Sequence, residues 1–429
     1  MPRFPLRLAP LLCLTLAACA ETPGPTPASL APETARAAAQ PATPSATPAA
    51  DAAAPLLQAP SFADWLHSFR ARALQQGVDA QLFDAVFAGM TPDPAVIRAD
   101  QSQPEFTRPV WEYLDGALSP TRIRRGKELL AEHRSTLDAI EARYGVDRQF
   151  LVAIWGMESN FGQFMGDKSV IRSLATLAHE GRRPAFAEQQ LLAALQILGS
   201  GDISARGMLG SWAGAMGQTQ FIPTTYLSHA VDFDGNGRRD IWGSPADALA
   251  SAAHYLQASG WQKGRAWGIR VALPGGFDYA LADTGIRKTY EQWAALGVKG
   301  QPTRVSPQET GYLLLPAGHR GPAFLVFGNF AAILKYNNSS SYALAVGLLG
   351  ERLAGSAPFT AQWPKDERPL SRSERLELQE RLLAKGFEPG TPDAIIGANT
   401  RRAIRAFQQQ LGWPADGHPT PQLLEALRR

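Results

Sequence analysis

Apolar residues recur along this chain in two rhythms, and the places where one gives way to the other set its layout. Phe62, Trp65, Leu66 and Phe69 stand at i, i+3, i+4 and i+7, the spacing that turns one face of an α-helix toward a core. The same period predicts helices over 81–88, 122–144, 187–198 and 246–258, with Gly and Pro clusters between them. Short runs rich in β-branched and aromatic residues predict strands over 269–273, 312–315 and 323–327. Near the C-terminus, three further stripes read as short helices: Leu376, Leu378, Leu382 and Leu383; Ala403, Ile404, Phe407 and Leu411; Leu423, Leu424 and Leu427. The pattern therefore predicts a mainly α protein. A helical core of about 300 residues carries a small β insertion around 268–327, and a small three-helix domain, feasible but marginal in core size, follows it.

One stretch departs from both rhythms. Phe150, Leu151, Val152, Ala153, Ile154 and Trp155 form a near-continuous apolar run, and a lone carboxylate, Glu158, follows before Gly162. A helix apolar on nearly every side is buried. Asp147 is placed to cap its start and Gly162 to stop it. Glu158 then lies in the last turn, beside Trp155 and Met157, where burial and the negative end of the helix dipole both disfavour its charged form. A carboxyl kept protonated near neutral pH suits a general acid for glycosidic cleavage. A surface Glu at a helix end is the plainer alternative.

Three other stretches carry polar groups in dense order. Gly214 to Tyr226 sets two glycines around Met216 and places the amides of Gln218 and Gln220 after them, with Tyr226 at its end. Lys335 to Tyr342 contains Asn337, Asn338 and Ser339, which serve either as a helix cap or as partners for sugar N-acetyl and hydroxyl groups. Asp232, Asp234, Asn236 and Gly237 open as a calcium loop does, with Arg238 contributing its backbone carbonyl and Asp240 at the ninth position. The twelfth position, usually Glu, is Gly243. Asp247 either substitutes for it or completes a capping box with Ser244. No zinc pattern, phosphate-binding glycine loop or Ser–His–Asp set is apparent.

Composition sharpens the ends of the chain. Residues 1–18 read as a signal peptide, with Arg3 and Arg7 ahead of a short apolar stretch. Leu16-Ala17-Ala18-Cys19 resembles the lipobox of bacterial lipoproteins, which marks Cys19 for lipidation and a membrane anchor. Ala20 after it favours the periplasmic face of the outer membrane. Residues 20–60 hold 15 Ala and 9 Pro in 41 positions, so 19–60 reads as a tether with a reach of roughly 130 Å at ~3.1 Å per residue. Cys13 leaves with the signal, and the remaining chain has no thiol for a disulfide or for catalysis. The formal net charge of +3 across 429 residues, with no dense Lys/Arg cluster, argues against nucleic acid as a partner.

Taken in order, Glu158-Ser-Asn-Phe-Gly162, Gly214-Ala-Met-Gly-Gln-Thr-Gln-Phe-Ile-Pro223, the Asp232 loop and Tyr336-Asn-x-Ser-x-x-Tyr342 resemble the B-type membrane-bound lytic murein transglycosylases. The resemblance covers about 60–355. It implies a lysozyme-like catalytic domain, assigned to 61–356. It also implies cleavage of the MurNAc–GlcNAc β-1,4 bond of peptidoglycan without net hydrolysis, leaving 1,6-anhydro-MurNAc. By the same resemblance Glu158 is the acid/base, Ser159 accompanies it, Gln220, Asn337 and Tyr342 contact sugar, and the loop is a structural Ca2+ site; Ser159, Gln218 and Tyr226 are also expected to bind substrate. The chemistry requires no cofactor. A linker at 357–370 leads to a tail, 371–429, that resembles a peptidoglycan-binding module. The matching residues include Leu378-Gln379, Asp393, Ile396-Gly397, Thr400 and Phe407-Gln408, with Ala394 where that module usually has Gly. Glycan strands are thus the expected partner, and no protein partner is indicated. Two alternatives stay open. One is a hydrolytic muramidase, with Asp167 or Asp232 as a second carboxylate; the other is a non-catalytic wall-binding lipoprotein.

Overall fold

The computed structural model describes residues 60–102 and 108–429. The signal, Cys19 and nearly all of the tether lie outside the described residues. Four helices open the core: α1 (Phe62–Gln75), α2 (Ala80–Phe87), α3 (Pro94–Ser102) and α4 (Val110–Ala117). The stripe that predicts α1 faces inward: Phe69 is fully buried and stacks on Trp65 at 5.2 Å. Ser61 caps the helix by accepting the Asp64 N–H.

The predicted helix over 122–144 is two helices, α5 (Pro120–Glu132) and α6 (Arg134–Tyr144), broken at His133. His133 ends the first and begins the second with φ −98° and ψ 24°. Apolar spacing continues across such a bend, which is why periodicity alone does not reveal it. Next come α7 (Arg148–Ser159), the two-residue strand β1 (Lys168–Ser169), α8 (Val170–Glu180), α9 (Pro184–Ser200), β2 (Leu209–Gly210), α10 (Pro223–His229) and α11 (Pro245–Ala258). β1 pairs antiparallel with β2.

Asp147 stands at the N-cap of α7 but does not cap it. Its carboxylate accepts from the Trp261 indole N–H and the Gly264 N–H, both at 3.2 Å. The expected local contact is replaced by a distant one that ties α7 to the end of α11.

The β insertion begins at β3 (Gly268–Ala272) and continues through β4 (Lys288–Thr289), α12 (Tyr290–Ala295), β5 (Lys299–Gly300), β6 (Thr310–Leu314), β7 (Pro316–His319) and β8 (Ala323–Val326). The sheet order is β4-β6-β8-β3-β5, with antiparallel pairs throughout. The three predicted strands are β3, β6 and β8, its central members. The two-residue strands are too short to show a period. This sheet has its own apolar cluster around Trp293, Leu325 and Phe327.

The chain returns to the core with α13 (Gly328–Tyr336) and α14 (Ser340–Leu353). α14 runs antiparallel to α7: Gly350 meets Phe150 at one end, and Tyr342 meets Glu158 at the other. A Cβ on Gly350 would lie 2.4 Å from the Phe150 ring, so only glycine lets the two helices approach this closely.

The tail is α15 (Arg372–Ala384), α16 (Ala398–Gln410) and α17 (Pro421–Arg428), around Leu378, Leu382, Ile404 and Leu423. Ala394 takes φ +67°, so the turn expected of glycine forms with alanine in it. The buried Gln379 amide holds it, accepting from Asp393 N–H (3.0 Å) and Ala394 N–H (2.7 Å). The tail also touches the β insertion. Arg405 pairs with Asp283, and Asp416 accepts from the His319 N–H at 2.8 Å and lies 2.6 Å from its Nδ1.

Candidate active site

The site is built on the end of α7. The helix stops at Ser159, before Gly162, because Asn160 and Phe161 take positive φ of 49° and 62°. Their N–H groups both turn back toward the Trp155 carbonyl. The reversal folds Phe161 over Gly156, where a Cβ would sit 2.7 Å from its ring. The loop is then fastened by Ser159, which is 1% exposed. Its Oγ donates to the Gln218 carbonyl at 2.8 Å and accepts the Gly162 N–H at 2.9 Å.

Three residues expected at the sugar are therefore internal. Ser159 is occupied by backbone partners. Gln218 is buried and donates its amide to the Trp242 carbonyl. Tyr226 is fully buried and donates its hydroxyl to the Arg239 carbonyl at 2.6 Å. These side chains hold the walls of the site because the fold places them behind the surface loops. Gln220 is half-buried with φ +51° and donates its amide to the Met165 and Gly217 carbonyls. That leaves its carbonyl oxygen for a ligand. Asn337 is exposed at the end of α13.

Tyr342, 3% exposed, donates its hydroxyl to Glu158 Oε1 at 2.6 Å. Burial pushes the Glu158 carboxyl up to about 7, and the Tyr342 hydrogen bond works in the opposite direction by favouring the carboxylate. Glu158 still reaches solvent in part, so a proton on it is both costly to remove and accessible. Among the described residues no second carboxylate contributes to its state. Asp167 is exposed, and Asp232 belongs to the acidic loop.

Two more tyrosines surround the acid. Tyr113, from α4, is pushed up to about 12 by burial and by the nearby Glu158. Tyr336 is raised by the same two influences and donates to the Thr219 carbonyl at 2.8 Å. Tyr113 carries no local signal in the sequence, since it reaches Glu158 only through tertiary packing. Tyr336 stands beside Asn337 in a stretch that the sequence does mark. Three neutral phenols around one carboxyl make a site that supplies hydrogen bonds without adding charge.

The Asp232 loop is a separate construction. Asp232, Asp234 and Asp247 bring carboxylate oxygens within 4.8 Å of one another. Asp247 is fully buried and accepts from the Phe233, Asp234 and Asp240 N–H groups. The reciprocal capping box does not form, because the Ser244 N–H goes to the Asp240 carbonyl. The Asp247 N–H is accepted by the Ser244 cap, while its carboxylate points into the loop. The acidic and amide side chains of the loop also accept backbone N–H groups: Asp232 from Gly235, Asn236 and Gly237, Asp234 from Asn236, Asp240 from Trp242 and Gly243, and Asn236 from Arg238. Three convergent carboxylates, one of them buried, fit a hard divalent cation with oxygen ligands.

The family model described as "Transglycosylase SLT domain" matches residues 61–351, and that described as "Putative peptidoglycan binding domain" matches 371–427. Membrane-bound lytic murein transglycosylase B of Escherichia coli (strain K12) is 30% identical over 296 residues, covering 67% of this chain and 79% of that protein. A crystal structure of SltB3 from Pseudomonas aeruginosa in complex with NAG-anhNAM-pentapeptide superposes with a TM-score of 0.83 at 62% identity, over 86% of this chain and all of the other. The Escherichia coli lytic transglycosylase Slt35 in complex with calcium superposes with a TM-score of 0.60 at 28% identity, over 67% of this chain and 92% of the other.

Proposed function

Because this chain belongs to the transglycosylase SLT domain family and is a peptidoglycan lytic enzyme, we propose that it cuts the MurNAc–GlcNAc β-1,4 bond and leaves 1,6-anhydro-MurNAc ends, with Glu158 as its single acid and base. The observation that carries this reading is the Glu158 carboxyl, set in the last turn of buried α7 and held at Oε1 by the Tyr342 hydroxyl at 2.6 Å, a setting whose burial pushes it up to about 7. Two-carboxylate glycosidases need a partner acid on the opposite face of the sugar.

In the proposed reaction, protonated Glu158 donates to the bridging oxygen, and the C1–O bond breaks with its electron pair leaving on that oxygen. The 2-acetamido carbonyl of MurNAc bonds to C1. Glu158, now a carboxylate, takes the proton from the C6 hydroxyl. O6 then attacks C1, the acetamide is released and the ring closes, with Glu158 protonated again and no water consumed. Tyr342 anchors Oε1, which leaves the other oxygen to carry the proton. Gln220 and Asn337 hold N-acetyl and hydroxyl groups. Mass spectrometry of digested sacculi tests the reading: anhydro ends, one water lighter than reducing ends, are expected. Reducing ends alone would favour a hydrolytic muramidase.

Tyr342 acts through Glu158 as a positioning residue. Its hydrogen bond favours the carboxylate, so Tyr342→Phe moves the Glu158 midpoint upward. The alkaline limb of kcat/KM, where the acid loses its proton, should shift to higher pH. The maximum should fall about 10-fold, the loss of one hydrogen bond worth ~1–1.5 kcal/mol. An unchanged pH profile would remove Tyr342 from this role.

The acidic loop is proposed to hold a calcium ion through Asp232, Asp234 and Asp247, which would brace the loop structurally; the calcium complex of Slt35 supports this. Saturating calcium, at about 100 times its Kd, should stabilise the protein by ~2.7 kcal/mol. Asp234→Ala should abolish the gain. Equal melting curves in chelator and in millimolar calcium would contradict it. Anchoring through Cys19 on the periplasmic face of the outer membrane is proposed from the Leu16–Cys19 sequence, and co-fractionation with outer membranes checks it.

A further inference from the structure

Far from the acid, an open groove of about 1060 Å³ runs beside β3. Phe150 lines it at the start of α7, which puts it on the order of 12 Å from Glu158 along the helix axis. The groove exists because β3 and β5 part. They pair only at Val271–Gly300 and Ala272–Lys299, and contact resumes where the Ala266 N–H reaches the Arg304 carbonyl. Between those points Ile269 and Arg270 of β3, half-buried and exposed, line the groove together with Gln301 and Thr303.

The charge in this groove is one-sided. Arg265, Arg270, Lys299 and Arg304 line it, and Glu351 is the single acid among the lining residues. Arg265 is paired with Glu309. Arg270 donates to the Thr360 carbonyl and lies over the Phe359 ring. Among the described residues Arg270, Lys299 and Arg304 have no carboxylate partner. Glu351 accepts from the Trp267 indole at 2.9 Å, and burial pushes its carboxyl upward. The chain as a whole is nearly balanced, with 42 Lys and Arg against 39 Asp and Glu, so the local excess is not a reflection of composition. A volume at the top of the ~300–1,000 Å³ range of small-molecule sites exceeds what one inorganic anion fills.

We propose that this groove binds the carboxylate-bearing peptide stems of peptidoglycan, its cations meeting the carboxylates and its parted strands meeting the peptide backbone. The assignment rests on peptidoglycan being the substrate. A stem peptide fits on three counts: it is extended, it carries free carboxylates on its glutamyl, diaminopimelyl and terminal alanyl residues, and it has backbone amides for the open stretch of β3. Arg offers paired donors and Lys a point charge to such carboxylates.

The test uses the full chain carrying Glu158→Gln, so that nothing is cleaved, and titrates the synthetic tetrapeptide L-alanyl-γ-D-glutamyl-meso-diaminopimelyl-D-alanine by calorimetry. Binding that weakens with added salt is expected, and at least a 10-fold loss in the Arg270→Glu/Lys299→Glu/Arg304→Glu variant. Exposed Lys299→Ala alone, which should leave the melting curve unchanged, is expected to weaken binding several-fold. With Glu158 intact, the Lys299→Ala change should raise KM on peptide-bearing glycan and leave turnover of peptide-free glycan unaltered. No binding, equal binding by the Lys299→Ala protein, or full displacement by equimolar inorganic phosphate would each overturn the assignment. Those results would leave anhydro-product formation untouched, whereas loss of that product from the unmodified enzyme would strike the proposed reaction itself.

Discussion

Glu158→Gln should lower turnover of sacculi by at least 10³-fold while leaving the fold intact. A glutamine keeps the size of the side chain and can still accept the Tyr342 hydrogen bond, but it cannot donate a proton to the bridging oxygen or take one from C6. General acid–base catalysis contributes ~10²–10⁴-fold, and here one group serves both transfers. The same variant should be the more stable protein above neutral pH. The folded-state carboxyl titrates at about 7 against an ordinary 4.5, so the native state binds the extra proton between those values. Relative to the Gln variant, the wild type keeps its stability below about pH 4.5 and loses it as pH rises through 7. The difference should reach about 3 kcal/mol at pH 8, readable from denaturant midpoints. Residual activity within 10-fold of wild type, with anhydro products, would mean that another residue is the acid.

Asp247→Ala should cost about 3–5 kcal/mol in chelator-treated protein, enough to lower the melting temperature by roughly 10 °C. The carboxylate accepts from three backbone N–H groups, those of Phe233, Asp234 and Asp240, and it is fully buried. Removing it strands donors that each cost ~1–3 kcal/mol when unpaired. Asp247→Asn keeps one acceptor oxygen and should fall between the two. Thermal unfolding of the three proteins side by side checks the order. A loss under 1 kcal/mol for the alanine variant would show that the loop finds other partners.

The sequence shows this site unevenly. The apolar run from Phe150 to Trp155 and the lone acid after it are legible because burial writes itself into consecutive positions. β3, β6 and β8 are legible because they carry apolar, β-branched or aromatic residues in a run, whereas β7, as long as β8, reads Pro-Ala-Gly-His and the other strands have two residues each. What the sequence hides depends on distant partners. Asp147 reads as a local cap but bonds Trp261 and Gly264. Ser159, Gln218 and Tyr226 have the residue types of a sugar site, yet each is turned inward to a carbonyl. Residue type cannot tell these cases apart, since the same hydroxyl or amide serves a backbone carbonyl or a sugar equally well. Tyr113 is the converse case: nothing near it in sequence points to Glu158, and only the packing of α4 brings it there. His133 breaks a helix that the apolar period carries straight through.

The Glu158 carboxyl keeps its proton well above the pH at which an ordinary glutamate loses it, and its own titration reads this out. In protein labelled with 13C at the glutamate carboxyls, the resonance missing from the Glu158→Gln spectrum identifies the group. Its shift should follow a curve with a midpoint near 7. A midpoint at the ordinary glutamate value, near 4.5, would mean a charged carboxylate at working pH and would contradict the account.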